Sequence, residues 1–162
     1  MRAINKIQVL IGVSALFIGL LVYLFDRPSD HTYFVYTLFP QKSPNDFLLN
    51  LFGPIGRSLP SLLHVFSFTL ITTGLMSCQK RGCLIIGLVW LFIDCLFEVG
   101  QKLGMQISQF VPDFFSGIPI LENTKSFFLR GTFDVYDLVA ITIGAIAAQS
   151  LFWITTNRRG AL

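Results

Sequence analysis

Residues 59–98 read LPSLLHVFSFTLITTGLMSC, then QKRG, then CLIIGLVWLFIDCLFE. Two long apolar runs are separated only by Gln79, Lys80, Arg81 and Gly82. A helix needs about 20 apolar residues to cross roughly 30 Å of hydrocarbon. In lipid the backbone must satisfy its own polar groups, which a helix does within one segment. The stretch therefore predicts two membrane helices, Leu59–Cys78 and Cys83 to about Glu98, folded back on each other through a tight turn. Pro60 is expected in the first turn of its helix, where its missing N–H costs nothing.

Two more apolar stretches flank this hairpin. Ile7–Phe25 carries no charge, and Phe133–Ile154 carries only Asp134 and Asp137, both in its first two turns. Composition agrees: 53% of the 162 residues are hydrophobic, 13% are charged, and 17 are Phe. Globular proteins hold about 45–50% apolar and about 25% charged residues, and a chain this short cannot hide the excess in its own interior. The expected fold class is all-α: a polytopic membrane protein in one domain over residues 1–162, a bundle of four transmembrane helices with two long aromatic-rich external loops. The first stretch is expected to remain as an uncleaved anchor, because its apolar core is too long for a signal peptide and no small-residue cleavage site follows it.

Charge placement suggests an orientation. With the N-terminus in the cytoplasm, the inner segments hold Arg2, Lys6, Lys80, Arg81, Arg158 and Arg159 and no acid. Basic residues crowd the cytoplasmic ends of membrane helices, so both termini are expected to be cytoplasmic. The net charge of +3 has no basic helix face behind it, and nucleic acid is not an expected partner. The external loops, residues 26–58 and 101–132, are rich in Phe and Tyr and are expected to lie in the interface or over the bundle. Cys78, Cys83 and Cys95 lack metal-ligand spacing and read as small hydrophobes.

Ionisable groups inside membrane helices are costly and mark functional sites by default. His64 lies in the second span; Asp94, Glu98 and Gln101 stack on one face of the third, at spacings of four and three. Arg130 precedes the fourth span, and Asp134 and Asp137 follow at the same spacings. Asp137 shares a stripe with Ala140, Gly144 and Ala148, and small residues let helices approach closely in lipid. Asp134 also suits a helix cap, and Asp94, deeper in its span, a bond to a hydroxyl or backbone group. The sequence leaves open whether the site is catalytic. If it is, the expected roles are proton transfer for His64 and Asp137 and a second carboxylate role for Glu98, with substrate contacts from Gln101, Arg130 and Asp134. A His with several carboxylates is also a divalent-metal donor set, but no compact ligand motif occurs. The sequence assigns neither a metal nor a cofactor.

The segments Leu62-Leu63-His64-Val65-Phe66, Glu98-Val99-Gly100-Gln101 and Arg130-Gly131, leading into Asp137-Leu138-Val139-Ala140 and Gly144, resemble the VanZ-like family of small bacterial membrane proteins. Two positions depart from its pattern: Ile141 stands where members usually carry Asn, and Ala148 where they often carry a second glycine. The resemblance implies a multi-pass protein of the bacterial inner membrane, with polar positions His64, Glu98, Gln101, Arg130 and Asp137. Together these features lead to the expectation of an externally facing polar pocket for a membrane lipid or a lipid-linked cell-envelope substrate. The alternative is a non-catalytic accessory subunit, whose polar network is structural and whose aromatic loops bind a membrane protein partner. A proton or ion path ranks third, because the cytoplasmic halves of the last three spans lack ionisable groups.

Overall fold

The computed structural model describes residues 4–26, 52–118 and 121–157, and no strand occurs among them. The first long loop expected from the sequence lies almost wholly outside the described residues.

Helix α1 runs over Lys6–Asp26, α2 over Gly53–Met76 and α3 over Lys80–Lys102. Two short helices follow, α4 over Gly104–Phe110 and α5 over Thr124–Arg130, and α6 over Val135–Asn157 completes the order. Three of these, α2, α3 and α6, are long and apolar enough to cross a membrane. The apolar stretch Lys6–Val22 of α1 is shorter than those three.

The hairpin turn is tighter than the sequence suggests. Lys80 already opens α3, leaving Ser77, Cys78 and Gln79 as the connection. Ser77 ends α2 in the left-handed region at φ 49°, a conformation that lets the chain reverse at once. The start of α2 also differs from expectation. The helix begins at Gly53, so Pro54 occupies its first turn and Pro60 lies inside it. The apolar run read from the sequence starts later than the helix because Gly53–Ser58 sets a single large apolar residue, Ile55, among Gly, Pro, Arg and Ser.

The four long helices alternate in direction. Asn5 N donates to Gly74 O at 2.9 Å, joining the start of α1 to the end of α2. Gln149 Nε2 donates to Cys83 O at 2.8 Å, joining the end of α6 to the start of α3. On α1 the buried positions are Asn5, Gln8, Gly12, Ala15, Gly19 and Val22, a three–four repeat that makes one seam along the helix. A Cβ on Gly12 would sit 2.8 Å from Ile71 Cγ1 and 3.0 Å from Ser67 O. α1 and α2 therefore approach closely.

The small-residue stripe of α6 faces inward as expected. Ala140, Ala148 and Gly144 are buried, and a Cβ on Gly144 would strike the Leu62 carbonyl oxygen and the Val65 side chain. Leu62 and Gly144 each lie nine residues into their helices, so α2 and α6 start at nearly the same level. Val65, Ile141 and Ala145 form the core at this contact, with Trp90, Leu91 and Cys95 of α3 packed against it.

α4 and α5 pack against each other and against α3. Gly104 lies against the Phe128 carbonyl, where no Cβ would fit, and the rings of Phe97 and Phe128 stack with centroids 6.1 Å apart. Much of the chain from α4 to α5 stays exposed, including Met105, Phe110 and Phe114. That clamp sets where the chain enters α6.

Candidate functional site

α3 organises the site. Its buried positions include Cys83, Gly87, Asp94 and Glu98, all on one face at helical spacing. The two carboxylates sit one turn apart and face different neighbours. Asp94 meets α2: His64 Nδ1 lies 3.1 Å from Asp94 Oδ1 and 3.0 Å from Oδ2. Glu98 meets the start of α6: its Oε1 accepts the Asp134 backbone N–H at 2.7 Å.

The His64 pair is asymmetric in exposure. The side chain of Asp94 is 8% exposed and that of His64 is 47% exposed. A carboxylate only accepts, so Nδ1 is the donor of this pair, and Nε2 lies on the opposite edge of the ring. Nε2 has no hydrogen-bond partner among the described residues. Aromatic rings flank the imidazole: the Phe68 centroid lies 4.5 Å away, and Trp90 meets it edge-on at 6.4 Å. Trp90 is itself held by a bond from Nε1 to Thr72 Oγ1 at 3.1 Å. The imidazole is thus fixed on one edge, walled by rings and open on the other edge.

At the second tie, Asp134 caps α6. Its Oδ1 accepts the Tyr136 N–H at 2.9 Å, and its carbonyl accepts the Asp137 N–H at 3.1 Å. The helix cap that the sequence suggests at Asp134 forms, with its Oδ1 serving the start of α6. Gln101 lies beside Gly131, where a Cβ would fall 2.8 Å from Gln101 Cδ, so this amide packs against the linker into α6. Arg130 is exposed and forms no ion pair among the described residues. Lys102 Nζ sits 5.3 Å from the centroid of the Phe133 ring.

Asp137 is buried at 9% exposure, and its Oδ1 has no hydrogen-bond partner among the described residues. A buried acceptor in that condition is costly, so it marks a place where a donor is missing. It does not meet His64. His64 lies eleven residues into α2 and Asp137 two residues into α6. At 1.5 Å per residue this puts His64 about 13 Å deeper along the bundle. Asp137 shares the face of Gly144, toward α2, whereas His64 turns to α3.

The expected cluster is therefore partly assembled. His64 and Glu98 are bridged through consecutive turns of α3, and Asp134 joins Glu98. The carboxylate partner of His64 is Asp94 rather than Asp137. Asp94 was legible in principle: His64 and Asp94 each lie fifteen residues from Gln79, as Phe68 and Trp90 each lie eleven. In a tight antiparallel hairpin such positions face one another. Among the described residues no three His, Cys, Asp or Glu side chains are grouped to hold a metal ion. No protein-family model matches this chain, and neither a curated protein nor a solved structure does.

Proposed function

We propose that this chain is a VanZ-like inner-membrane protein with an outward-facing polar pocket for a lipid-linked or cell-envelope substrate. In this reading α1 is the fourth membrane span, both termini are cytoplasmic, and the Ser77–Gln79 turn faces the cytoplasm. The observation that supports a ligand is His64. A half-exposed imidazole inside a helix long enough to cross a membrane leaves a polar nitrogen where lipid offers it nothing. A substrate hydroxyl or phosphate would satisfy it. Asp94 holds the ring in one tautomer, so Nε2 is set to accept a proton from such a group. Arg130, at the pocket rim, suits a lipid phosphate. Glu98 and Gln101 hold the rim. The second reading, an accessory subunit with a structural network, draws on the Glu98–Asp134 tie, which fastens α3 to α6 whether or not a ligand binds.

Purification in native lipid followed by mass spectrometry separates the two. The wild-type protein is expected to retain a phosphorylated lipid that His64→Ala and Arg130→Ala both lose while remaining folded. Lipid retained by both variants, or loss of folded protein from both, would contradict the pocket.

A further inference from the structure

We infer that the groove between α3 and α6 binds one acyl chain of an anionic phospholipid, whose phosphate is held by Lys80 and Arg81. The groove opens between α3 and α6, whereas His64 meets α3 from α2, and its charged end lies at the end of the bundle away from Glu98 and Asp134.

The groove encloses about 310 Å³ and is walled by Leu84, Leu88 and Leu91 of α3 and by Ala145, Ile146 and Trp153 of α6. Three polar residues also line it, and each spends a donor within the protein. Thr142 Oγ1 donates to Leu138 O at 2.9 Å, Ser150 Oγ to Ile146 O at 2.9 Å, and Gln149 Nε2 uses one of its two N–H groups on Cys83 O at 2.8 Å. The surface on offer is mainly hydrocarbon. Thr142 and Trp153 mark its extent along α6, about 16 Å at 1.5 Å per residue, a length comparable to an extended acyl chain.

One end of the groove is charged. Lys80 Nζ sits 4.5 Å from the centroid of the Trp153 ring, so the ammonium lies at the lip of the groove. Arg81 follows on the next position of α3 and is exposed, as is Lys80. A phosphate above the chain would meet both cations, and Trp is at home at the same headgroup level. The same charges disfavour a second copy of this chain as the occupant. A symmetric parallel dimer through this face would set Lys80 and Arg81 against their own copies. A zwitterionic lipid fits the hydrocarbon groove but gains less from the cations.

The test uses the full chain carrying Trp90→Phe, which leaves Trp153 as its one tryptophan. It is reconstituted in phosphatidylcholine vesicles containing a minor fraction of lipid brominated on the acyl chain, which quenches a tryptophan in contact with it. Dibromo-phosphatidylglycerol is expected to quench Trp153 with a higher association constant than dibromo-phosphatidylcholine. Each cation removed, in Lys80→Gln and Arg81→Gln, should lower that preference by about fivefold. Ser150→Phe fills the groove from its exposed edge and should weaken quenching by both lipids. Equal quenching by the two lipids overturns the inference, and so does a preference that survives in the double Lys80→Gln, Arg81→Gln variant. Exclusion of both lipids, with crosslinking between copies at Ser150→Cys, would assign the groove to a second copy instead. None of these outcomes bears on His64, so failure here and failure of the outward pocket are distinguishable.

Discussion

Nδ1 of His64 lies within 3.1 Å of both carboxylate oxygens of Asp94, and the acid is buried while the imidazole is half exposed. The two helices that carry this pair are joined by only three residues, so the turn that reverses the chain also fixes the register of the pair. A double-mutant cycle through His64→Ala and Asp94→Asn should give a coupling of about 1 kcal/mol, because one partner is solvated or lipid-exposed. Unfolding in detergent measures it, and additive effects would show that the pair does not form.

Glu98 is the acceptor for the first backbone N–H of the turn that caps α6. Glu98→Ala removes that acceptor and is expected to speed amide exchange at Asp134 by about tenfold or more. Glu98→Gln keeps an oxygen in place and should slow the opening again toward the wild-type rate. Hydrogen exchange read by mass spectrometry on the peptide containing Asp134 distinguishes the two.

Gly144 permits the closest approach of α6 to α2. Its substitution by Ala places a methyl against the Leu62 carbonyl, and the helices must part. The expected cost is about 3 kcal/mol, at the upper end for overpacking. Ile143→Ala, on the exposed neighbouring position, should change stability by no more than about 0.5 kcal/mol. Equal stabilities for the two variants would place the α2–α6 contact elsewhere.

Gln8 is 1% exposed, and its Nε2 donates to Thr155 Oγ1 at 2.8 Å, tying α1 to α6. Interhelical hydrogen bonds in membrane proteins average only about 0.6 kcal/mol. Gln8→Leu, which fills much the same volume, should therefore shift the unfolding free energy by about that amount. A much larger loss would mean that Gln8 serves more than this bond.

Much of this fold is legible in the sequence because its elements are set by length and polarity. Lipid-length apolar runs and the short QKRG break already specify the α2–α3 hairpin, and the alanine–glycine stripe specifies the buried face of α6. The extent of α2 is less legible, since Ile55 is the one large apolar residue in Gly53–Ser58 and Pro54 and Pro60 both permit a helix start. The site is readable residue by residue but not pair by pair. Spacing along one helix puts Asp94 and Glu98 on one face; it says nothing of depth in a neighbour. Asp137 is buried and His64 half exposed, and the level contact of Leu62 with Gly144 sets them about 13 Å apart along the bundle axis. Gln8 and Gln149 are the polar groups that composition hides, because an uncharged amide inside an apolar run barely lowers its hydropathy.

The proposed pocket requires the end of the bundle that carries Glu98, Gln101 and Asp134 to face away from the cytoplasm. Labelling intact cells with a membrane-impermeant maleimide tests this most directly, using Lys102→Cys in a background with Cys78, Cys83 and Cys95 changed to Ala, and a matched variant that keeps only Cys78. Lys102→Cys is expected to label in intact cells, and Cys78 only after permeabilisation. Labelling of Cys78 in intact cells, with Lys102→Cys protected, would contradict the account.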